Sequence, residues 1–141
     1  MMACKFCEIA AGATTHAVFE DAGSIAFLDT RPLFPGHVLL IPREHIETLP
    51  ELPPEAVGPF FRNAQLLTRA VQEAMGADGV LNAVNNVISQ SVPHLHLHIV
   101  PRRRGDGLRG FFWPRHTYHD EGEAASIAEQ IRLTVSRLLV R

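Results

Sequence analysis

The chain has 141 residues with a formal net charge of -2, a length that suits one domain and a charge that provides no broad basic field for nucleic acid. Hydrophobic residues make up 46% and charged residues 20%, the balance of a globular protein; no stretch nears the roughly 20 apolar residues that span a bilayer, and Met1 to Gly12 lacks the apolar core of a secretory leader. The expected setting is cytoplasmic, without membrane or nucleic acid as partner, and the two cysteines, Cys4 and Cys7, are too few for a disulfide framework.

Ala17 to Glu20 and Ser24 to Leu28 read as two strands joined by the turn Asp21-Ala22-Gly23. Arg31 to Gly36 holds two prolines and a glycine, and the apolar run His37 to Ile41 then stops at Pro42 as a third strand would, which favours an antiparallel meander. From Pro53 to Met75, Val57, Phe60, Phe61, Ala64, Leu67, Val71 and Met75 recur at helical spacing. Pro59 blurs the start of that helix and Gly76 ends it. Val80 to Asn85 and Leu95 to Val100 supply two more strands, and Ala124, Ile127, Ala128, Ile131, Val135, Leu138 and Leu139 mark a C-terminal amphipathic helix.

The stretch His94-Leu95-His96-Leu97-His98-Ile99-Val100 carries the most chemistry. Strand alternation turns Leu95, Leu97 and Ile99 to a core and projects His94, His96 and His98 together from the other face. Eight histidines in this chain would form such a pattern by chance with a probability of about 0.02. On residue types alone three readings stand: a polar strand face, a metal site built on imidazoles, or a catalytic row. Cys4-Lys5-Phe6-Cys7 adds a C-x-x-C spacing, which is half of a tetrahedral zinc site and needs two further ligands. Arg102, Arg103 and Arg104 form the one basic run, a solvated loop or a local attraction for a small anion.

His94 to Val100 resembles, at every position, the His-φ-His-φ-His-φ-φ signature of the histidine triad (HIT) family, where φ is apolar. The likeness extends through Phe27-Leu28-Asp29, through Pro35 to His45 and into Asn85 to Val92, so that it covers roughly Cys4 to Arg102. The segment Phe111-Phe112-Trp113-Pro114-Arg115 looks like a variant of some HIT subgroups. The resemblance implies an α+β fold of HIT-like kind, an antiparallel sheet of about five strands with one long helix and a C-terminal helix. It implies a single HIT domain over 1–141, with its core at about 4–102 and a C-terminal loop and helix at 103–141, assembled as a homodimer whose sheets join across the subunit boundary.

By the same resemblance His96 is a nucleophile towards an α-phosphate, with a hydrogen bond on its second nitrogen fixing the attacking tautomer. His98 contacts phosphate or leaving-group oxygens, and His37 supports the triad or relays a proton. Phe6 and Phe27 line a base pocket, Asp29 accepts from ribose hydroxyls, and Ser91, Gln90 and Asn85 belong to the loop around the phosphate. That loop, Asn85-Asn86-Val87-Ile88-Ser89-Gln90, is shorter than the usual Asn-Asn-Gly-x-x-Ala-Gly-Gln form and lacks its glycines, which favours a compact leaving group over a long polyphosphate; the basic run 102–104 argues the other way. For zinc, the resemblance adds His45 and His94 to Cys4 and Cys7 as a closed structural site that pins the N-terminus without taking part in catalysis. The function so implied is hydrolysis or nucleotidyl transfer on a purine nucleotide, a phosphoramidate or a dinucleoside polyphosphate, with no organic cofactor. The alternatives are a nucleotide-binding module with little turnover and a protein whose triad histidines all hold metal.

Overall fold

The computed structural model describes residues 3–109 and 115–140. A short helix, α1 (Lys5–Ala10), precedes β1 (Ala17–Glu20), β2 (Ser24–Leu28) and β3 (Val38–Pro42). A 3-10 turn at Leu49–Glu51 leads into α2 (Pro54–Met75), then β4 (Gly79–Val84), β5 (Leu97–Arg102) and α3 (Glu121–Leu139). The strands form one sheet in the order β1-β2-β3-β5-β4, antiparallel throughout. The fold is thus the α+β arrangement of five antiparallel strands, one long helix and a C-terminal helix. Among the described residues no helix is long and apolar enough to cross a membrane.

Both faces of the sheet centre are covered, which is why β2 and β3 show no inside-outside alternation in burial. On one face Ala26, Val38, Leu40, Leu95, Leu97 and Ile99 pack against Phe60, Ala64, Leu67 and Val71 of α2. On the other, Ile25, Phe27, Leu39 and Ile41 pack against Phe6 and Ile9 of α1. Burial on both sides asks for a continuous apolar run, and Val38-Leu39-Leu40-Ile41 is one.

Several elements differ from the sequence expectation, with β3 and β4 each shifted by one residue, to Val38–Pro42 and Gly79–Val84. α1 was not foreseen: it spans six residues, too few for periodicity to show or for a helix to stand alone in water. β5 begins at Leu97 and continues through Pro101 to Arg102. A proline is tolerated there because β3 pairs with β5 only from Leu97 to Ile99, so the far side of Pro101 has no ladder to break. α2 runs straight through Pro59; its C-cap Gly76 is left-handed at φ 58°, and its N–H closes onto the carbonyls of Gln72 and Glu73.

The chain divides into two units, Met1–Asp106 and Gly107–Arg141. Within the second unit α3 is capped by Asp120, whose carboxylate accepts the Glu123 N–H, and an Arg132–Glu129 pair lies on its surface. Residues 111–114, which carry the aromatic segment singled out above, lie outside the described residues. In the first unit Gly36 introduces β3 at φ 95°, and a Cβ there would meet Met75 Cγ at 2.7 Å. Only glycine combines that backbone angle with that approach, and the turn it makes delivers His37.

Candidate active site

Strand register puts the chemistry on the α1 side of the sheet. Phe27 pairs with Leu39 and Leu39 with His98, so these three share a face. Two residues along each chain from those positions stand Asp29, His37 and His96, brought to the same side by alternation. The result is a cavity of about 740 Å³ lined by Phe6, Ile9, Phe27, Leu39, Asp29, Ser91, His96 and His98, among others. That volume lies within the range of small-ligand pockets, and its lining is of the expected kind, apolar walls with a few convergent polar groups.

His37 and His96 each have their proton placed by a backbone group that can only donate or only accept, and His98 follows from His37. The Leu33 N–H donates to His37 Nδ1 at 3.0 Å, so His37 carries its own proton on Nε2. That N–H faces His98 Nδ1 at 2.9 Å, with Asp29 Oδ2 further off at 3.7 Å. His98 therefore accepts through Nδ1 and keeps its proton on Nε2. For His96 the order is reversed: Nδ1 lies 2.8 Å from the His94 carbonyl, which can only accept, so the proton is on Nδ1. The lone pair is then on Nε2, to which no described group donates. The residue with an open basic nitrogen thus stands beside one with an N–H donor, their rings 5.0 Å apart.

Asp29, His37 and His98 also lie close enough to share a cation, but the Leu33 N–H already occupies one nitrogen of His37 and its proton occupies the other. His37 and His98 form a hydrogen-bonded pair, with the Asp29 carboxylate beside it. Asp29 is itself held in place, its Oδ1 accepting the Arg31 N–H at 2.9 Å.

The loop before β5 is pinned by its own side chains. Asn86 Oδ1 accepts the Leu49 N–H at 2.8 Å, Gln90 Oε1 accepts the Val87 N–H at 3.1 Å, and Gln90 Nε2 donates to the Glu47 carbonyl at 2.6 Å. Val87 and Ser89 sit at φ 72° and 62°, a costly backbone for a β-branched residue and one that persists only where surroundings over-determine it. Ser91 reaches the cavity; Asn85 and Gln90 are not among its lining residues. Of the basic run, the side chains of Arg102 and Arg103 are engaged elsewhere. Arg102 forms a two-point pair with Asp106, Arg103 donates to the carbonyls of Met75 and Gly76 at the end of α2, and the Arg104 N–H meets Asp78.

A second cluster lies against the first. Cys4, Cys7, His45 and His94 bring one donor atom each to within 4.8 Å of one another. His94 Nε2 donates to the Pro42 carbonyl at 2.8 Å, which leaves the lone pair of Nδ1 facing Cys4 Sγ at 3.4 Å and Cys7 Sγ at 3.5 Å. His45 Nδ1 lies 3.2 Å from Cys7 Sγ, and its Nε2 faces Glu47 at 3.7 Å. Tetrahedral zinc, with bonds of about 2.3 Å to sulfur and 2.0 Å to nitrogen, sets S and N about 3.5 Å apart. Donor types, spacing and the outer partners on both histidines fit that ion. Without a cation, desolvation and the neighbouring Cys4 push the Cys7 thiol up.

Burial holds His37 and His94 below the ordinary imidazole range. It takes His98 from 6.5 to about 4, with His96 and His37 adding to the effect and Asp29 opposing it. Above about pH 6.5 neither folded nor unfolded chain protonates this residue. Between 6.5 and about 4 the unfolded chain alone takes up the proton, so stability falls as pH falls through that window. Thermal melts from pH 8 to 4 should show a steeper acid decline for the wild type than for His98→Asn. Equal slopes would mean that His98 is not held neutral.

A match to the HIT domain family model spans residues 11–105. Adenosine 5'-monophosphoramidase hnt1 of Schizosaccharomyces pombe is 33% identical over 133 residues, which cover 92% of this chain and 96% of the relative. The crystal structure of SMU.412c from Streptococcus mutans UA159 superposes with a TM-score of 0.86 at 33% identity, over 96% of this chain and 87% of that one. A zinc-bound histidine triad family protein from Mycobacterium smegmatis does so with a TM-score of 0.71 at 36% identity, over 96% and 98%. With its alternating histidines on the sheet and these relatives along nearly its whole length, the chain belongs to the histidine triad family.

Proposed function

We propose that the protein is a HIT hydrolase that cleaves a purine nucleotide at its α-phosphate through a nucleotidyl-His96 intermediate, with nucleotidyl transfer as the variant in which an acceptor replaces water. One observation carries this reading: the His94 carbonyl holds the His96 proton on Nδ1, leaving the lone pair of Nε2 as the nucleophile. In the first step Nε2 bonds to phosphorus and the bond from phosphorus to the leaving nitrogen or oxygen breaks, the leaving group taking its proton from solvent. Water then attacks phosphorus, the N–P bond breaks, and His96 is restored. While phosphorylated, the ring is cationic, and its Nδ1–H bond to the carbonyl strengthens. His98 Nε2–H donates to a phosphate oxygen where negative charge builds, and the His37 N–H keeps it in that tautomer. Phe6 and Phe27 flank the base, Asp29 takes the ribose hydroxyls, and Ser91 holds the phosphate.

Zinc on Cys4, Cys7, His45 and His94 belongs to the same proposal as a closed structural centre. So does a single HIT domain acting as a homodimer, supported by β1 and β4, which each have only one neighbour in the sheet. A relative named as an adenosine phosphoramidase supports a nucleotide amide as substrate. The loop supports it as well: it is short and pinned by Asn86 and Gln90, while the side chains of Arg102 and Arg103 are paired with Asp106 or capping α2.

His96→Asn should lower kcat by at least about 10³-fold while AMP affinity stays within a few-fold of wild type. Wild-type protein quenched during turnover should yield a nucleotidylated peptide containing His96. Retained turnover in His96→Asn would contradict the mechanism, and AMP binding without turnover in the wild type would favour a binding module. Side by side, adenosine phosphoramidate should give a higher kcat/KM than diadenosine tetraphosphate. The reverse preference, lost on replacing Arg102, Arg103 and Arg104 with alanine, would show that the arginines set specificity.

A further inference from the structure

The cavity and the cysteine-histidine cluster share their parts. Helix α1 has six residues, and four of them, Lys5, Phe6, Glu8 and Ile9, line the cavity. The same short segment supplies both sulfurs, Cys4 as the N-cap of the helix and Cys7 within it. Phe6 lies between them in sequence. Its ring sits edge-on to Phe27 at 5.5 Å, to His94 at 5.9 Å and to His96 at 5.1 Å. His94 is the joint between the clusters, because its ring faces the sulfurs while its carbonyl fixes the His96 proton.

A helix this short does not persist by itself. α1 is held by the burial of Phe6 and Ile9, by Arg43 Nη1 donating to the Ala10 carbonyl, and by the sulfur-imidazole contacts. The last of these is the one attachment that a bound ion changes. We propose that the Cys4–Cys7–His45–His94 centre is a positioning element of the nucleotide pocket: zinc bound there fixes α1 as a pocket wall and holds Phe6 against His96, so that metal binding and nucleotide binding are coupled. This goes beyond pinning the N-terminus, and it rests on the reading of the cavity as a nucleotide site.

Coupling of this kind is reciprocal: if zinc tightens AMP binding by some factor, AMP tightens zinc binding by the same factor. The test is a full cycle on the whole protein. AMP affinity is measured by calorimetry on zinc-loaded and chelator-stripped protein whose circular dichroism shows it still folded, and zinc affinity is measured against a competing chelator with and without saturating AMP. Both ratios should be about tenfold and equal. Phe6→Leu, which keeps all four ligands, should retain one zinc per chain, weaken AMP binding and bring the two ratios towards one.

AMP affinity independent of zinc, with zinc affinity independent of AMP, overturns the proposal. Should the stripped protein unfold, Phe6→Leu decides at full zinc loading, where unchanged AMP affinity overturns it. A protein that takes up no zinc at this cluster fails on the metal centre, and one that takes up zinc but not AMP fails on the nucleotide reading. Either result also overturns the coupling, and the two are told apart by which ligand is missing.

Discussion

A neutral imidazole has two ring nitrogens and one proton, and once it is out of water its neighbours decide which nitrogen keeps that proton. His37, His94 and His96 are all under 3.5% exposed, at 2%, 0% and 3%, so the rest of the site depends on this constraint. The main chain settles it three times: the Leu33 N–H for His37, the Pro42 carbonyl for His94 and the His94 carbonyl for His96. His98 follows from His37. From these contacts come an open nitrogen on His96, a donor on His98 and a metal-facing nitrogen on His94, three different roles for one residue type along five positions of chain.

The sheet exists in a form that makes those contacts hold. Burying the centre of the sheet on both faces, against α2 and against α1, removes the water that would otherwise compete for each imidazole. It also lets strand alternation carry Phe27 and Asp29, His37 and Leu39, and His96 and His98 to one side. The strain at Val87 and the close approach at Gly36 lie in the two segments that feed His94 to His98 and His37 into place. Such positions are where a fold gives up local stability for placement.

Much of this was legible in the residues. The alternating histidines announced their shared face, the apolar residues between them announced a core behind it, and the C-x-x-C spacing announced half of a metal site, to which the family resemblance added His45 and His94. The parts that were not legible have physical reasons. α1 gains its order from Phe6 and Ile9 packing on residues far away in the chain, which no local pattern reports. Gln90 looks like a ligand of the phosphate loop when seen in sequence, yet its amide serves the backbone at Val87 and Glu47, contacts that appear only when the 47–49 segment is alongside. Arg103 reads as a free cation until α2 ends beside it. A polar side chain in a loop has many partners within reach, and only the folded chain selects among them.

The roles of His37, His94, His96 and His98 all depend on where four protons sit. Nitrogen-15 NMR of histidine-labelled, zinc-loaded protein at pH 7 reads the protonation of each ring nitrogen directly. The structure requires a proton on Nδ1 of His96 and on Nε2 of His37, His94 and His98, with His37 and His98 neutral. A His96 protonated at Nε2, or a charged His98, would contradict it, because the nucleophile would be blocked in the first case and the hydrogen bond from His37 broken in the second.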